Sequence, residues 1–424
     1  MSAPSVTGMA AVVAQYLRET GLAEQEGMTV RALSQALLMS TSSPLKQDNG
    51  VEYSPRKQGS GFANVYHAVT TPAYLLTDSK DVTDGKVKVN LGDDPDRTGV
   101  YSADFTLNNL TDEAIEYTLS ADVFTQAPVS SEGVLYLLPK TVSMAANVVW
   151  TVDGKGLTAP PELTAYDFDK DGDTDADDAQ LLLDDVTAGA GKLKADVDGD
   201  GDTDTHDVSE LLKLISAAKV VLPADGSISV HVTFSLIDEE KEFLDAYYTN
   251  GAYVEAFLYA NPVSAEDGVE RVSHSIPVLG FYGNWSDASM FDKGTLSEYW
   301  YEKETRNPYL PDSDGSPNMF GNMVTVKYAN EDGEYYYFGN PLAEDDEYVP
   351  ARNALNNENG DQIFKLYFAS IRNAGDAKYV ISDAETGEVY VEEDLGPVSA
   401  AFYYANGGSW QDTQKAVNLG WSGT

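Results

Sequence analysis

The chain has 424 residues, 69 Asp and Glu against 27 Lys and Arg, and a formal charge of −42, which excludes nucleic acid and anionic membrane surfaces as partners. Its 42% apolar content is enough to bury cores in two to four domains, so the composition is that of a globular protein and not a disordered one. Zero cysteines remove disulfides, thiol nucleophiles and thiolate metal sites together, and no run approaches the roughly 18 consecutive apolar residues of a membrane span.

From the N-terminus, Val6, Met9, Ala10, Val13 and Leu17 fall at helical spacing ahead of Gly21. A second helix is expected over Thr29 to Ser40, with Val30, Leu33, Ala36 and Leu37 on one face. The stretch Tyr53-Ser-Pro-Arg-Lys-Gln-Gly-Ser-Gly-Phe-Ala-Asn-Val-Tyr-His-Ala68 then combines a Gly-rich turn with a short helix. In this order the segments resemble the end of a subtilisin-like serine protease domain, of the lactocepin or cell-envelope proteinase type. Met1-Ser-Ala-Pro resembles the Met-Ala/Ser-x-Pro that follows the nucleophile there, and Ser-Pro-Arg-Lys-Gln-Gly-Ser-Gly resembles a Ser-Pro-x-x-Gln-Gly-x-Gly stretch of the family. The resemblance implies that residues 1–70 are the C-terminal remnant of a catalytic domain and that the nucleophile immediately precedes Met1. It implies no catalytic residue in this chain. The four histidines, His67, His206, His231 and His274, lie in no family His motif, so the triad Asp and His are expected upstream.

Beyond residue 70 the periodicity changes from 3.6 to 2. Tyr101 to Asp112 and Ala114 to Phe124 alternate apolar and polar around a polar turn, which reads as a hairpin. Ser227 to Leu236 and Ala252 to Ala260 continue the pattern, so an antiparallel sandwich without intervening helices is expected. Phe105-Thr-Leu-Asn-Asn-Leu110, Val221-Leu-Pro-Ala-Asp-Gly226, Asn250-Gly-Ala-Tyr-Val-Glu-Ala-Phe257 and Ile276-Pro-Val-Leu-Gly-Phe-Tyr-Gly-Asn-Trp285 resemble the fibronectin-type domain that follows the catalytic domain in those proteinases. The resemblance places such a sandwich, in two pieces, over 71–160 and 220–285.

Between the pieces lies the strongest chemical signal. Asp167-Phe-Asp-Lys-Asp-Gly-Asp-Thr-Asp-Ala-Asp-Asp178 recurs 29 positions later as Asp196-Val-Asp-Gly-Asp-Gly-Asp-Thr-Asp-Thr-His-Asp207. A calcium loop needs carboxylates at positions 1, 3 and 5, a carbonyl at 7, an acid at 12 and glycine at 6 for the sharp turn. Candidate ligands are therefore Asp167, Asp169, Asp171, Asp173 and Asp178, then Asp196, Asp198, Asp200, Asp202 and Asp207, for two calcium ions. A merely solvated acidic linker would need neither the register of the two copies nor the apolar helical stretches after each, Ala179 to Val186 and Val208 to Ile215. Residues 161–219 hold 17 acids against 5 lysines, a net of −12. One helix following each loop, with no amphipathic helix before it, resembles the dockerin family, whose paired loops dock onto cohesin domains. The chain departs from that family at position 8, with Thr174 and Thr203, and its copies disagree at recognition positions 10 and 11, Ala176-Asp177 against Thr205-His206. The insert is expected either to dock a cohesin or to act purely as a calcium staple, and its attachment to sandwich strands at both ends favours the staple.

Residues 286–424 read as a second, truncated accessory sandwich. Phe364 to Phe368, Ile371-Arg-Asn-Ala-Gly375, Lys378-Tyr-Val-Ile-Ser-Asp383 and Glu388-Val-Tyr-Val391 resemble the corresponding unit of the same proteinases. Asn356 to Asp361 departs from that family's Asn-Gly-Asp-Gly form, Tyr335-Tyr-Tyr-Phe338 reads as a core strand more than a sugar-stacking surface, and Gly420 to Thr424 resembles the lead into a last hairpin. The fold expected is thus mixed and multidomain, mostly β, with two fibronectin-type sandwiches, an N-terminal helical remnant and a small helical calcium module. The parent protein is expected to be a secreted or cell-wall-associated serine endopeptidase acting on protein substrates, with its export signal outside this sequence. The encoding DNA immediately upstream of Met1 is then expected to read Gly-Thr-Ser; any other codons there remove the protease reading.

Overall fold

The computed structural model describes residues 2–131, 134–157, 163–263 and 272–287, and beyond them 325–329, 335–338, 364–368, 373–383, 385–398 and 415–419. The chain is mostly β with a few helices, and it divides into two compact units, Met1–Asp287 and Ala288–Thr424.

In the first unit the chain opens with helices α1 (Ser2–Thr20), α2 (Leu22–Gln25), α3 (Val30–Ser40), α4 (Pro55–Gln58) and α5 (Val65–Thr70). Thr29 stays extended before α3 and its hydroxyl accepts the Ala32 N–H at 3.1 Å, satisfying a donor that the first turn leaves orphaned. Leu33, Ala36 and Leu37 of α3 and Val13 and Leu17 of α1 are buried at the expected spacing. They belong to the same cluster as the sheet residues Tyr74, Leu107, Tyr117, Val232 and Val254, so helices and sheets share one core. Gly85 lies against α3 with φ +84, and a Cβ there would fall 1.9 Å from the Ala32 carbonyl oxygen, so only glycine lets the chain pass.

The strands of this unit are β1 (Ala73–Leu76), β2 (Val89–Asp94), β3 (Val100–Asn109), β4 (Ile115–Ser131), β5 (Val134–Ser143), β6 (Ala146–Val152), β7 (Lys155–Gly156), β8 (Ala218–Leu222), β9 (Ser227–Leu236), β10 (Ala252–Pro262) and β11 (His274–Tyr282). One sheet runs β1-β3-β9-β6-β7 and the other β2-β11-β10-β4-β5, with β8 also paired to β4. Their inward residues, Tyr101, Phe105 and Leu107 from the first and Leu119, Ala121 and Val123 from the second, meet in the common core.

Three sequence expectations change here. β3 and β4 do not form a hairpin; they lie in different sheets. The Asn109 side chain accepts the Thr111 N–H and donates to the carbonyls of Glu113 and Pro223, fixing a connection that crosses between sheets. Facing each other across the core buries both apolar faces, whereas adjacent pairing would put them side by side on one layer. A helix between β9 and β10 also interrupts the strand series. The edge strand β2 pairs parallel with β11, so the sandwich is not wholly antiparallel.

Between β7 and β8 come helices α6 (Ala176–Thr187) and α7 (Thr205–Ser216), and between β9 and β10 comes α8 (Asp238–Tyr247). It is α8 that breaks the expected run of strands. Its Glu240 carboxylate accepts the Ala145 N–H at 2.7 Å, and burial pushes that carboxyl up to about 7.

The second unit contains β12 (Thr325–Ala329), β13 (Tyr335–Phe338), β14 (Phe364–Phe368), β15 (Lys378–Ser382), β16 (Val389–Asp394) and β17 (Lys415–Leu419). They pair as β13-β12-β14-β17 and as the hairpin β15-β16, whose turn is held by the Asp383 carboxylate accepting the N–H groups of Glu385 and Thr386. The Asn356–Asp361 and Gly420–Thr424 segments, the Tyr335–Phe338 side chains and the Pro160-Pro161 flank of the insert lie outside the described residues. Among the described residues no helix is long and apolar enough to cross a membrane.

The start of α4 is fastened to β10 by charge. Glu255, with no exposure, accepts from Arg56 Nε at 2.8 Å and from the Ser54 hydroxyl, while the Arg56 guanidinium stacks 3.7 Å from the Tyr253 ring centre. Arg56→Ala leaves that carboxylate buried without its partner, and a loss of about 3–5 kcal/mol is expected in chemical denaturation. The paired Arg56→Met, Glu255→Leu exchange should recover most of it.

Candidate metal centre

The two Asp-rich loops fold alike because their backbones meet the same demands. Position 6 requires a left-handed residue, and Gly172 has φ +114 and Gly201 φ +102. Position 4 is also left-handed, with Gly199 at φ +80 and Lys170 at φ +66, a conformation that costs a non-glycine residue about 1–2 kcal/mol.

Position 12 organises each loop. Asp178 is 1% exposed; its Oδ1 accepts the Phe168 and Asp169 N–H groups and its Oδ2 the Asp175 N–H at 3.0 Å. Asp207, equally buried, repeats this with Val197 at 2.6 Å, Asp198 at 3.2 Å and Asp204 at 2.8 Å. The same two residues are the third residues of α6 and α7, completing capping boxes with Asp175 and Asp204. One carboxylate thus starts a helix and closes a loop at once.

Around these anchors the other carboxylates form a ladder. Asp169 accepts from Asp171 N at 3.0 Å and Asp171 from Asp173 N at 3.1 Å; Asp198 and Asp200 do the same at 3.1 Å each. Oxygens of Asp167, Asp169 and Asp178 lie within 4.8 Å of one another, as do those of Asp196, Asp198 and Asp207, and of Asp202, Asp204 and Asp207. Positions 1, 3 and 12 of each loop therefore converge. Asp171, Asp173 and Asp200 line the loops without joining these groups. The acid at position 9, Asp175 or Asp204, lies outside the ligand set expected from the sequence and caps the helix instead, a role that Asp three residues before another acid at a helix start signals.

The neighbouring Asp171 and then Asp175 hold the Asp173 carboxyl above the usual range, and Asp200 does the same to Asp202. These clusters repel themselves, and a donor set made wholly of hard oxygens is what a hard divalent cation could relieve.

The module is fixed to the sandwich along α7. Trp150 Nε1 donates to the Ser216 carbonyl at 2.6 Å, the Ser216 hydroxyl accepts the Ala121 N–H at 3.0 Å, and the Ser143 and Ser209 hydroxyls are 3.0 Å apart. Ala176, at position 10 of the first loop, is fully buried with Ala145 and Ile237, and Asn147 accepts its N–H at 3.4 Å. Between the helices Ala179, Leu182, Val208, Leu211 and Ile215 form a small core of their own.

No family model matches the chain, and no curated protein matches it. Among solved structures it is similar to the ASH/PapD-like domain of human CEP192, at 8% identity over 50% of this chain and 84% of that one with a TM-score of 0.21. It is also similar to a family 123 glycoside hydrolase from Clostridium perfringens, at 10% identity over 77% and 52% with a TM-score of 0.23. A third is the class 5 fimbriae chaperone CfaA, at 9% over 74% and 80% with a TM-score of 0.19. At such scores the likenesses carry no argument.

Asp207→Ala should destabilise the chain by about 2–4 kcal/mol even with cations chelated, because three backbone N–H groups lose their acceptor. Asp202→Ala, exposed and surrounded by like charge, should change stability little under the same conditions. Chemical denaturation in EGTA separates the two.

Proposed function

We propose that the duplicated loops bind two calcium ions and staple an accessory β-sandwich of an extracellular subtilisin-like serine endopeptidase. The observation that carries the calcium reading is the repetition, residue for residue, of a buried position-12 carboxylate holding three backbone N–H groups while positions 1 and 3 converge beside it. Asp167, Asp169 and Asp178 would hold one ion and Asp196, Asp198 and Asp207 the other. Bound calcium supplies charge neutralisation and a fixed loop geometry. The chain's own residues supply the rest: capped helices, a small shared core and the Trp150 and Ser216 fastening.

In this reading the two-sheet unit is the fibronectin-type domain, and the helix pair is a dockerin-like form used as an insert. Docking to a cohesin is the weaker alternative, because the position-10 residue Ala176 is covered by Ala145 and Ile237. The endopeptidase parent rests on the sequence resemblance. The intact enzyme would cleave peptide bonds through an acyl-enzyme, with the sandwiches positioning protein substrates.

Calcium is expected to raise the melting temperature of the chain. A hundredfold excess over Kd contributes about 2.7 kcal/mol per site, and magnesium should do much less. Asp169→Ala with Asp198→Ala should abolish the rise while leaving the EGTA baseline nearly in place, since each carboxylate accepts one ladder bond. An unchanged melting temperature in calcium overturns the staple; calcium-dependent capture by a cohesin panel would favour docking instead.

A further inference from the structure

His274, the first residue of β11, is completely buried where the sheets meet the helical segment. Its ring lies 5.9 Å from that of Tyr117, centre to centre, and it stands opposite Ala260 in the β10 register. Nε2 reaches the Thr71 hydroxyl at 3.4 Å, and Nδ1 has no hydrogen-bond partner among the described residues. Thr71 closes α5, and its hydroxyl proton is committed to the Ala73 carbonyl at 2.6 Å. Towards the ring that hydroxyl only accepts, so Nε2 carries the single proton of the neutral imidazole and Nδ1 is left with a bare lone pair in the core. The next residue adds a second tie, the Ser275 hydroxyl donating to the Ser42 carbonyl at 3.2 Å.

A second proton has no place in this arrangement, since it would put a charge and an unmatched N–H donor at Nδ1. The charged and titratable groups on the surrounding elements are exposed or engaged elsewhere. Arg31 of α3 and Glu116 of β4 are exposed, and Arg56 of α4 pairs with Glu255 of β10 and stacks on Tyr253. Lys57 of α4 donates to the Pro139 carbonyl, Asp93 and Asp94 of β2 accept from Trp285, Thr98 and Gly99, and Asp122 of β4 meets Lys213. Tyr74 of β1 and Tyr259 of β10 donate to Glu26 and Glu52, Tyr282 at the far end of β11 lies under Arg97, and His67 of α5 is half-buried. None of them offsets the desolvation, and burial alone lowers the His274 pKa to about 3.

We propose that His274 is an acid-released latch between β11 and the segment running from α3 to β1. With the ring neutral, the first two residues of β11 are held to Thr71 and Ser42. On protonation the ring leaves the core and both ties open; its place at the very start of the strand lets this happen while the rest of β11 stays paired with β10. A histidine held below its ordinary value of about 6.5 binds its proton better once released, so the latch is fully closed above that value and weakens as pH falls through it towards 3. Opening takes up one proton, tenfold per pH unit, which makes the opening constant about thirtyfold larger at pH 5 than at pH 8. The buried carboxyls of Glu240 and Asp122, both raised, have the opposite sign: they keep their protons in the folded chain, so acid tightens their sites.

Hydrogen–deuterium exchange of the full chain in excess calcium, corrected for the pH dependence of the intrinsic rate, reads the latch directly. Amides of residues 42–46, 71–76 and 274–278 should open about thirtyfold more at pH 5 than at pH 8, while those of the β3 and β9 pair stay level. His274→Gln keeps a donor for the Thr71 hydroxyl but takes up no proton, and it should abolish the difference. In the folded wild type the His274 ring resonances should not titrate between pH 8 and pH 5. Equal pH dependence in wild type and His274→Gln overturns the proposal, as does loosening spread evenly over both sheets or a His274 ring that titrates near 6.5 in the folded chain. If His274→Gln fails to fold, His274→Phe, which fills the ring's volume, takes its place, and the wild-type ring titration decides the matter without any variant.

Discussion

The tie between the end of α7 and the sheets is the constraint on which the first unit depends. A helix C-terminus leaves carbonyls without partners, and here the Trp150 indole takes the one of Ser216 from β6 while the Ser216 hydroxyl engages Ala121 of β4. One residue later, after Ala217, the chain enters β8 and pairs with β4 from Ala218↔Leu119 onward. Helix direction, strand register and the position of the second Asp loop at the other end of α7 are therefore set together. Moving any one of them would break bonds in both sheets.

Charge works with this geometry. Asp175, Asp178, Asp204 and Asp207 all stand at helix starts, where exposed N–H groups and the helix dipole favour anions. Those four find partners in the protein itself. The rungs farther out face mostly like charge, Asp173 beside Asp171 and Asp202 beside Asp200. Each loop is thus half satisfied by its own backbone, which lets it keep its outline, and half dependent on something positive.

Much of this was legible in the sequence because the signals are local. Loop glycines, the 3.6-residue spacing of Leu33 and Leu37, and the strand Ser227–Leu236 all follow from residues within one or two turns of each other. Alternation could not say that β3 and β4 face each other instead of pairing, since both arrangements bury the same alternate residues. The helix α8 begins with Asp238, Glu239 and Glu240, an N-terminal signal hidden inside an otherwise β-rich stretch. The ion pairs Lys46–Glu52 and Lys213–Asp122 were beyond reach, because the two are brought beside each other only by the pairing of β4 with β10 and the seating of α7.

The insertion also alters how the sandwich can assemble. β7 ends at Gly156 and β8 begins at Ala218, so the two strands are separated in the unfolded chain by a loop of some sixty residues. Closing a flexible loop of that length costs roughly 3–4 kcal/mol of chain entropy. Once the paired loops and helices have collapsed on their own small core, the separation is spanned by a compact body, and β8 is presented to β4 almost for free. The insert is in that sense a preassembled connector: the long-range half of the fold, β8 to β11, becomes local when it forms.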